Sequence, residues 1–268
     1  VRARFRPTAH FPLRLALACL LASGCAKQPA KPPIRPGAEP TQSAPSTPTL
    51  ERSRLDYPIG SLKHRILSIA EHEWHDFGKQ TVVFHEDGES IPHVGHWEDE
   101  NHTLIERINT YWRIVDHPEL NGLDCQQPWS AAFVSWVMVT AGLSERQFRP
   151  GQAHWMYLSN LLYKAHDADA AFLPHAVAEY APQPGDLICA SRNHDFVVDI
   201  HALPTSWQVD HARIHCDIVV ATRGDTLEAI GGNVRNSVSK SLLTLSPNGR
   251  LQPTRARPWF VVFENRLD

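Results

Sequence analysis

Residues 128–142, PWSAAFVSWVMVTAG, constrain this chain more than any other stretch. From Trp129 to Ala141 there is no charged side chain, and only Ser130, Ser135 and Thr140 are polar. Pro128 sits where a helix favours a first-turn proline, and Gly142 supplies the stop. Apolar residues fall around nearly the whole circumference of the helix this spacing predicts. Such a helix has no face to offer to water, so other elements must wrap it and make it the centre of a core.

The flanking periodicity supplies the wrapping. Leu62, Ile66, Ile69 and Phe77 recur at helical spacing over 61–77, and Ile105, Ile108, Trp112 and Val115 do so over 103–115. Between them, 79–101 is polar and punctuated by Gly88, Pro92 and Gly95, with a short strand-like run at 81–84. His117-Pro118 and Asn121-Gly122 break the chain, and another helix is expected over 153–166. The pattern then changes to period two. Strands are expected at 185–189, 214–220, 226–230, 238–245 and 259–263. Helices followed by a run of strands indicate an α+β fold, with N-terminal helices packed on a small antiparallel sheet of about five strands. Residues 57–268 suffice for one domain with a real core.

The first residues read differently. Arg2, Arg4, Arg6 and Arg14 precede a short apolar run, LRLALACLL, which leads into Leu21-Ala22-Ser23-Gly24-Cys25. Charged start, apolar centre and small residues at a cut form a secretory signal, too short to span a bilayer at roughly 20 apolar residues. LASGC resembles the lipobox of bacterial lipoproteins, which implies cleavage after residue 24, a lipid on Cys25 and a membrane anchor facing the periplasm. Ala26 at the next position implies the outer membrane by the same likeness. Residues 25–56 are rich in Pro, Ala, Ser, Thr and Gln and bury little, as expected of a disordered tether. Some thirty residues reach at most about 100 Å, which keeps the domain near a surface.

Without residues 1–24, the 26 basic side chains fall to 22 against 29 acidic ones, a formal −7. With no Lys/Arg cluster outside the signal, nucleic acid is not an expected partner. Of the cysteines, Cys19 leaves with the signal, and Cys125, Cys189 and Cys216 remain in an oxidising compartment. Cys189 and Cys216 fall on strands expected to be neighbours and fit either a disulfide or two buried thiols.

Three pieces carry chemistry. The buried helix opens on Ser130, a strand begins with His215 in HCDIVV, and a later strand ends at Asn233 in GGNVRNSV. A helix N-terminus favours an anionic nucleophile, a histidine moves the proton and an amide fixes the ring. The segments PWSAAFVSWVMVTAG, PGDLIC, HCDIVV and IGGNVRNSV resemble the motifs of CHAP amidases and NlpC-type cell-wall endopeptidases, both papain-like. With EWHDFG at 73–78 and INTYW at 108–112, they more closely resemble the bacterial lipoprotein family known as domain of unknown function 2272. The likeness implies a papain-like fold, with Ser130 in place of the usual cysteine nucleophile, His215 as base and Asn233 as orienting residue. Cys125, five residues before the helix, is the alternative nucleophile. A serine hydroxyl is far harder to ionise than a thiol with pKa about 8.5, so Ser130 needs a general base and oxyanion donors. The loop residues Gln126 and Gln127 read as solvated rather than as such donors.

The expected activity is therefore hydrolysis of an amide bond in peptidoglycan or another peptide. The alternative is a silent module of the same type that binds peptidoglycan or a protein partner. No cofactor and no metal are expected: His72 and His75 lack the H-E-x-x-H spacing. His211 and His215 would lie about 13 Å apart on a strand, and His85, His93 and His96 fall in a loop.

Overall fold

The computed structural model describes residues 51–192 and 198–267. Cys25, the lipobox-like segment and the tether up to residue 50 lie outside the described residues. Near its start the described chain is tied down: Arg52 exchanges backbone hydrogen bonds of 3.0 and 2.9 Å with Thr222. A 3-10 turn, Arg54–Asp56, follows under a capping box from Ser53.

The helices are α1 (Leu62–Asp76), α2 (His102–Ile114), α3 (Ser130–Thr140), α4 (His154–Lys164) and the short α5 (Ser206–Val209). Ser61 caps α1 and Asn101 caps α2, each side chain accepting an N–H of the first turn. The strands are β1 (Thr81–His85), β2 (Gly88–His93), β3 (Phe172–Ala176), β4 (Leu187–Ser191), β5 (Ile214–Arg223), β6 (Thr226–Gly231), β7 (Ser239–Thr244) and β8 (Trp259–Asn265). They form one sheet in the order β2-β1-β7-β6-β5-β4-β8-β3.

This corrects the expectation of a small, papain-like antiparallel sheet of about five strands. The α+β class holds, but the sheet has eight strands and is mixed, since β1 runs parallel to β7. The five strands expected from period two form its centre, β7-β6-β5-β4-β8, and they are antiparallel to one another. The additions are β1 and β2 at one end and β3 at the other. Both edge strands carry a proline, Pro92 in β2 and Pro174 in β3. A proline cannot complete a ladder, so it is tolerated at an edge and blunts it against further pairing.

Central strands are covered on both faces. Along β5, Cys216, Ile218 and Val220 join the core formed with α1 to α4, while Val219 joins a second core with Val82, Ile188 and Leu227. Alternation therefore sends His215 and Asp217 to the face opposite Cys216. Cys216 is opposite Cys189 in the β4–β5 register, and the two form a disulfide with Cα atoms 4.2 Å apart. Helix α3 packs on α1, α2, β5 and β6, as its apolar circumference requires. Its Phe133 is fully buried, a contribution of about 2–3 kcal/mol.

Candidate active site

The first turn of α3 is clamped from several sides. Trp129, the residue before the helix, packs against Phe77 and Tyr111 with ring centroids 6.1 and 5.8 Å away. Its indole N–H donates to Glu98 at 2.5 Å. Tyr111 also meets Phe133 edge-on at 5.5 Å. Beneath these rings, the fully buried Glu73 accepts from Arg107 Nε at 2.8 Å and from the Tyr111 hydroxyl. Across from α3, Gly232 approaches so closely that a Cβ would lie 2.5 Å from Phe133 Cβ and 2.7 Å from Trp129 Cζ3. The EWHDFG, INTYW and IGGN segments thus act together to fix where α3 begins.

What begins there is Ser130. Its hydroxyl oxygen lies 2.6 Å from Nε2 of His154, the first residue of α4. The other ring nitrogen, Nδ1, is hydrogen-bonded to the Tyr157 hydroxyl one turn along the same helix. Burial holds the His154 imidazole well below the usual histidine range, and the nearby His215, Arg192 and Arg257 push the same way. Burial, reinforced by Asp217, holds the Tyr157 phenol well above its usual range, so it stays protonated.

His215 is the second residue of β5, at the end of the sheet where α4 starts. Its ring meets that of His154 edge-on, with centroids 5.5 Å apart. Its Nε2 is 2.7 Å from Asp217 Oδ1, and Ser241 donates to Asp217 Oδ2 at 3.3 Å. Burial lowers His215 to about 4 against the opposing pull of Asp217. The Asp217 carboxyl also lies below its usual value: burial raises it, but His215, Arg257 and Ser241 outweigh that. At neutral pH the pair is therefore a neutral imidazole donating Nε2–H to a carboxylate, with Nδ1 bare. That Nδ1 is buried and has no hydrogen-bond partner among the described residues.

Of the residues expected from sequence, Ser130 and His215 reach the same cluster, but the serine hydroxyl meets His154 and not His215. The partner of His215 is Asp217. Asn233 sits two residues past Gly231 in a left-handed turn (φ 54°) and lines a neighbouring cleft. Cys125 lies in the turn before α3 and is disulfide-bonded, so it presents no thiol to act as the alternative nucleophile. The strand pattern contained a signal for Asp217: in H-x-D on a strand, both side chains share one face. His154 had none beyond being a histidine at a helix start. Gly185-Asp186 is architectural, since Asp186 accepts the backbone N–H groups of Gln183 and Asn265 at 2.7 and 2.8 Å.

Among the described residues, no group of three His, Cys, Asp or Glu side chains is placed to hold a metal ion. His85 meets Ser90 at 3.1 Å, His93 the Gly78 carbonyl at 2.9 Å and His96 Glu100 at 3.0 Å. No helix of the described residues is long and apolar enough to cross a membrane.

No curated protein matches this chain, and no solved structure does. Residues 115–265 match the family described as "Uncharacterized protein conserved in bacteria (DUF2272)". The matched segment runs from just after α2 to the end of β8 and takes in Ser130, His154, His215 and Asp217. With more than half its length covered, the chain belongs to the DUF2272 family.

Proposed function

We propose that this protein hydrolyses an amide bond in a peptide of the bacterial cell envelope, with Ser130 as nucleophile and His154 as its base. The observation that carries this reading is the 2.6 Å contact between the Ser130 hydroxyl and His154 Nε2 at the start of a buried helix. With Nδ1–H donated to the Tyr157 oxygen, Nε2 presents a lone pair to Ser130, and the low basicity of the buried ring keeps it unprotonated at neutral pH.

In the acylation step, the Ser130 proton passes to Nε2 as Oγ adds to the substrate carbonyl. No side chain caps α3, so the N–H groups of its first turn remain available for the oxyanion. The C–N bond then breaks and Nε2–H protonates the leaving amine. Water then attacks the ester as its proton passes to Nε2, the acyl C–Oγ bond breaks, and Nε2–H reprotonates Ser130 Oγ as the acid leaves. His215, neutral in its buried pair with Asp217, adds no second positive charge beside the His154 imidazolium. Its bare Nδ1 offers an acceptor for a substrate N–H or the attacking water.

The choice of peptidoglycan as substrate rests on the lipobox-like LASGC at Cys25 and on the likeness of the α3 and β5 segments to CHAP and NlpC-type motifs. A lipid anchor in the outer membrane would keep the domain within reach of the wall. A second reading, a module that binds without cutting, is favoured by one observation: Ser130 is only 2 % exposed. Incubating the full protein with purified peptidoglycan separates the two. Muropeptide release by the wild type, lost in Ser130→Ala and in His154→Ala, supports the hydrolase. No release by the wild type supports the binding module.

A further inference from the structure

Beside the histidine cluster lies a cleft of about 360 Å³ whose walls include Arg192, Arg235, Arg255 and Arg257. Four guanidiniums in one cleft run against the charge of the whole chain, which is −3. Among the described residues Glu89 is the one carboxylate in the lining, and it pairs with Arg235. Arg255 reaches Asp87 at 3.7 Å, outside the cleft wall. Arg192 and Arg257 have no ion pair among the described residues. Arg257 lies over the Phe84 ring at 4.9 Å, a contact that orients the guanidinium without neutralising it.

Both arginines are partly buried, and burial lowers the pKa of each. A desolvated, unpaired charge is costly and is normally offset by a counter-charge. Both feel Asp217, and Arg257 also feels Glu89, but Asp217 is held by His215 and Ser241 and Glu89 by Arg235. Among the described residues neither arginine has a carboxylate of its own, so the cleft has charge to offer to an anion from outside the chain.

The cleft adjoins the candidate active site through residues next to it in the chain. Ser191 in its lining follows Ala190, the β4 partner of His215. Asn233 in its lining follows Gly231, whose Cβ position is 3.2 Å from His215 Nε2. Arg192 and Arg257 both depress the basicity of His154 and of His215.

We infer that this cleft recognises a carboxylate of a peptide, clamped by Arg192 and Arg257 beside the Ser130–His154 pair. A planar carboxylate suits a guanidinium fork, and a monoanion suits a cleft that also holds Glu89 better than a phosphate dianion does. The volume admits one or two residues of a peptide. That the bound peptide is the one cleaved rests on the hydrolase reading; that a carboxylate binds does not.

The test is isothermal titration on Ser130→Ala protein, which holds ligand without turnover. The probes are N-acetyl-trialanine with a free C-terminal carboxylate, the same peptide as its carboxamide, and inorganic phosphate. The free acid should bind at least tenfold more tightly than the carboxamide and than phosphate. Arg192→Gln or Arg257→Gln should each weaken the acid at least tenfold and leave the carboxamide unchanged. Arg257→Lys, which keeps the charge and loses the fork, should fall between, and serves if the glutamine variant fails to fold. Bound acid should also raise the titration midpoints of the His154 and His215 rings in NMR, since it offsets the arginine charge. Equal binding of acid and carboxamide, no binding of either, tighter binding of phosphate, or unaltered affinity in the arginine variants would each overturn the inference. Acid binding by a protein that releases no muropeptides would leave the carboxylate site standing and remove the hydrolase reading.

Discussion

At the scale of single residues, the His215–Asp217 pair depends on a neighbour that has no side chain. A Cβ on Gly231 would lie 1.7 Å from Asp217 Oδ1 and 3.2 Å from His215 Nε2, so the pair fits only against bare backbone. Gly231→Ala should therefore cost about 1–3 kcal/mol or more, read as a lower denaturation midpoint, and should disperse the His215 ring signal. His215 itself should titrate by NMR near 4 rather than near 6.5. Asp217→Asn should lower it further, because the carboxylate is what favours the protonated ring. The linkage has a definite sign. The unfolded chain takes the proton near 6.5 and the folded one near 4, so the contribution is intact above the first value. It is lost as the pH falls through that window. A His215→Gln protein should show a shallower loss of stability over that range. Asp217 was legible in HCDIVV as the residue sharing a strand face with His215. His154 was not legible, because its meeting with Ser130 is made by the crossing of two helix starts.

At the scale of elements, α1, α2 and α3 are bound by one polar knot in an apolar layer. Glu73 from α1 is fully buried and held by Arg107 and Tyr111 from α2, and Arg107 also lies 4.8 Å from the Trp136 ring of α3. Removing the acid strands a cation beneath the helix that carries Ser130. Glu73→Ala should thus destabilise the fold by about 3–5 kcal/mol, while Glu73→Gln, which can still accept hydrogen bonds, should cost less; chemical denaturation checks both. Helices α1 to α4 were legible within two residues at their starts because each carries a regular apolar stripe or, for α3, an apolar cylinder. The central strands were legible for the same reason, being apolar on one or both faces. Edge strands β2 and β3 were hidden by Pro92 and Pro174 and by the polar side chains an edge tolerates. The parallel pairing of β1 with β7 joins segments far apart in sequence, which no local pattern announces.

At the scale of the whole molecule, one covalent link ties the centre of the sheet. The Cys189–Cys216 bond closes 27 residues of chain between β4 and β5, including α5 and the approach to His215. Loop-closure entropy of that length corresponds to about 2–4 kcal/mol. Reduction, or Cys189→Ser with Cys216→Ser, should lower the unfolding midpoint accordingly and loosen the β5 end first, as hydrogen exchange would report. The molecule then presents a rigid sheet end on which two helix starts meet, with a serine and a histidine at the meeting point. Whether that serine is a nucleophile is tested most directly by a fluorophosphonate probe that forms a stable bond to an activated hydroxyl. Mass spectrometry of the labelled, folded protein should find the adduct on Ser130, and His154→Gln should abolish it while the fold persists. An unlabelled wild type, or an adduct on another side chain with Ser130 untouched, would contradict the assignment of Ser130 as nucleophile.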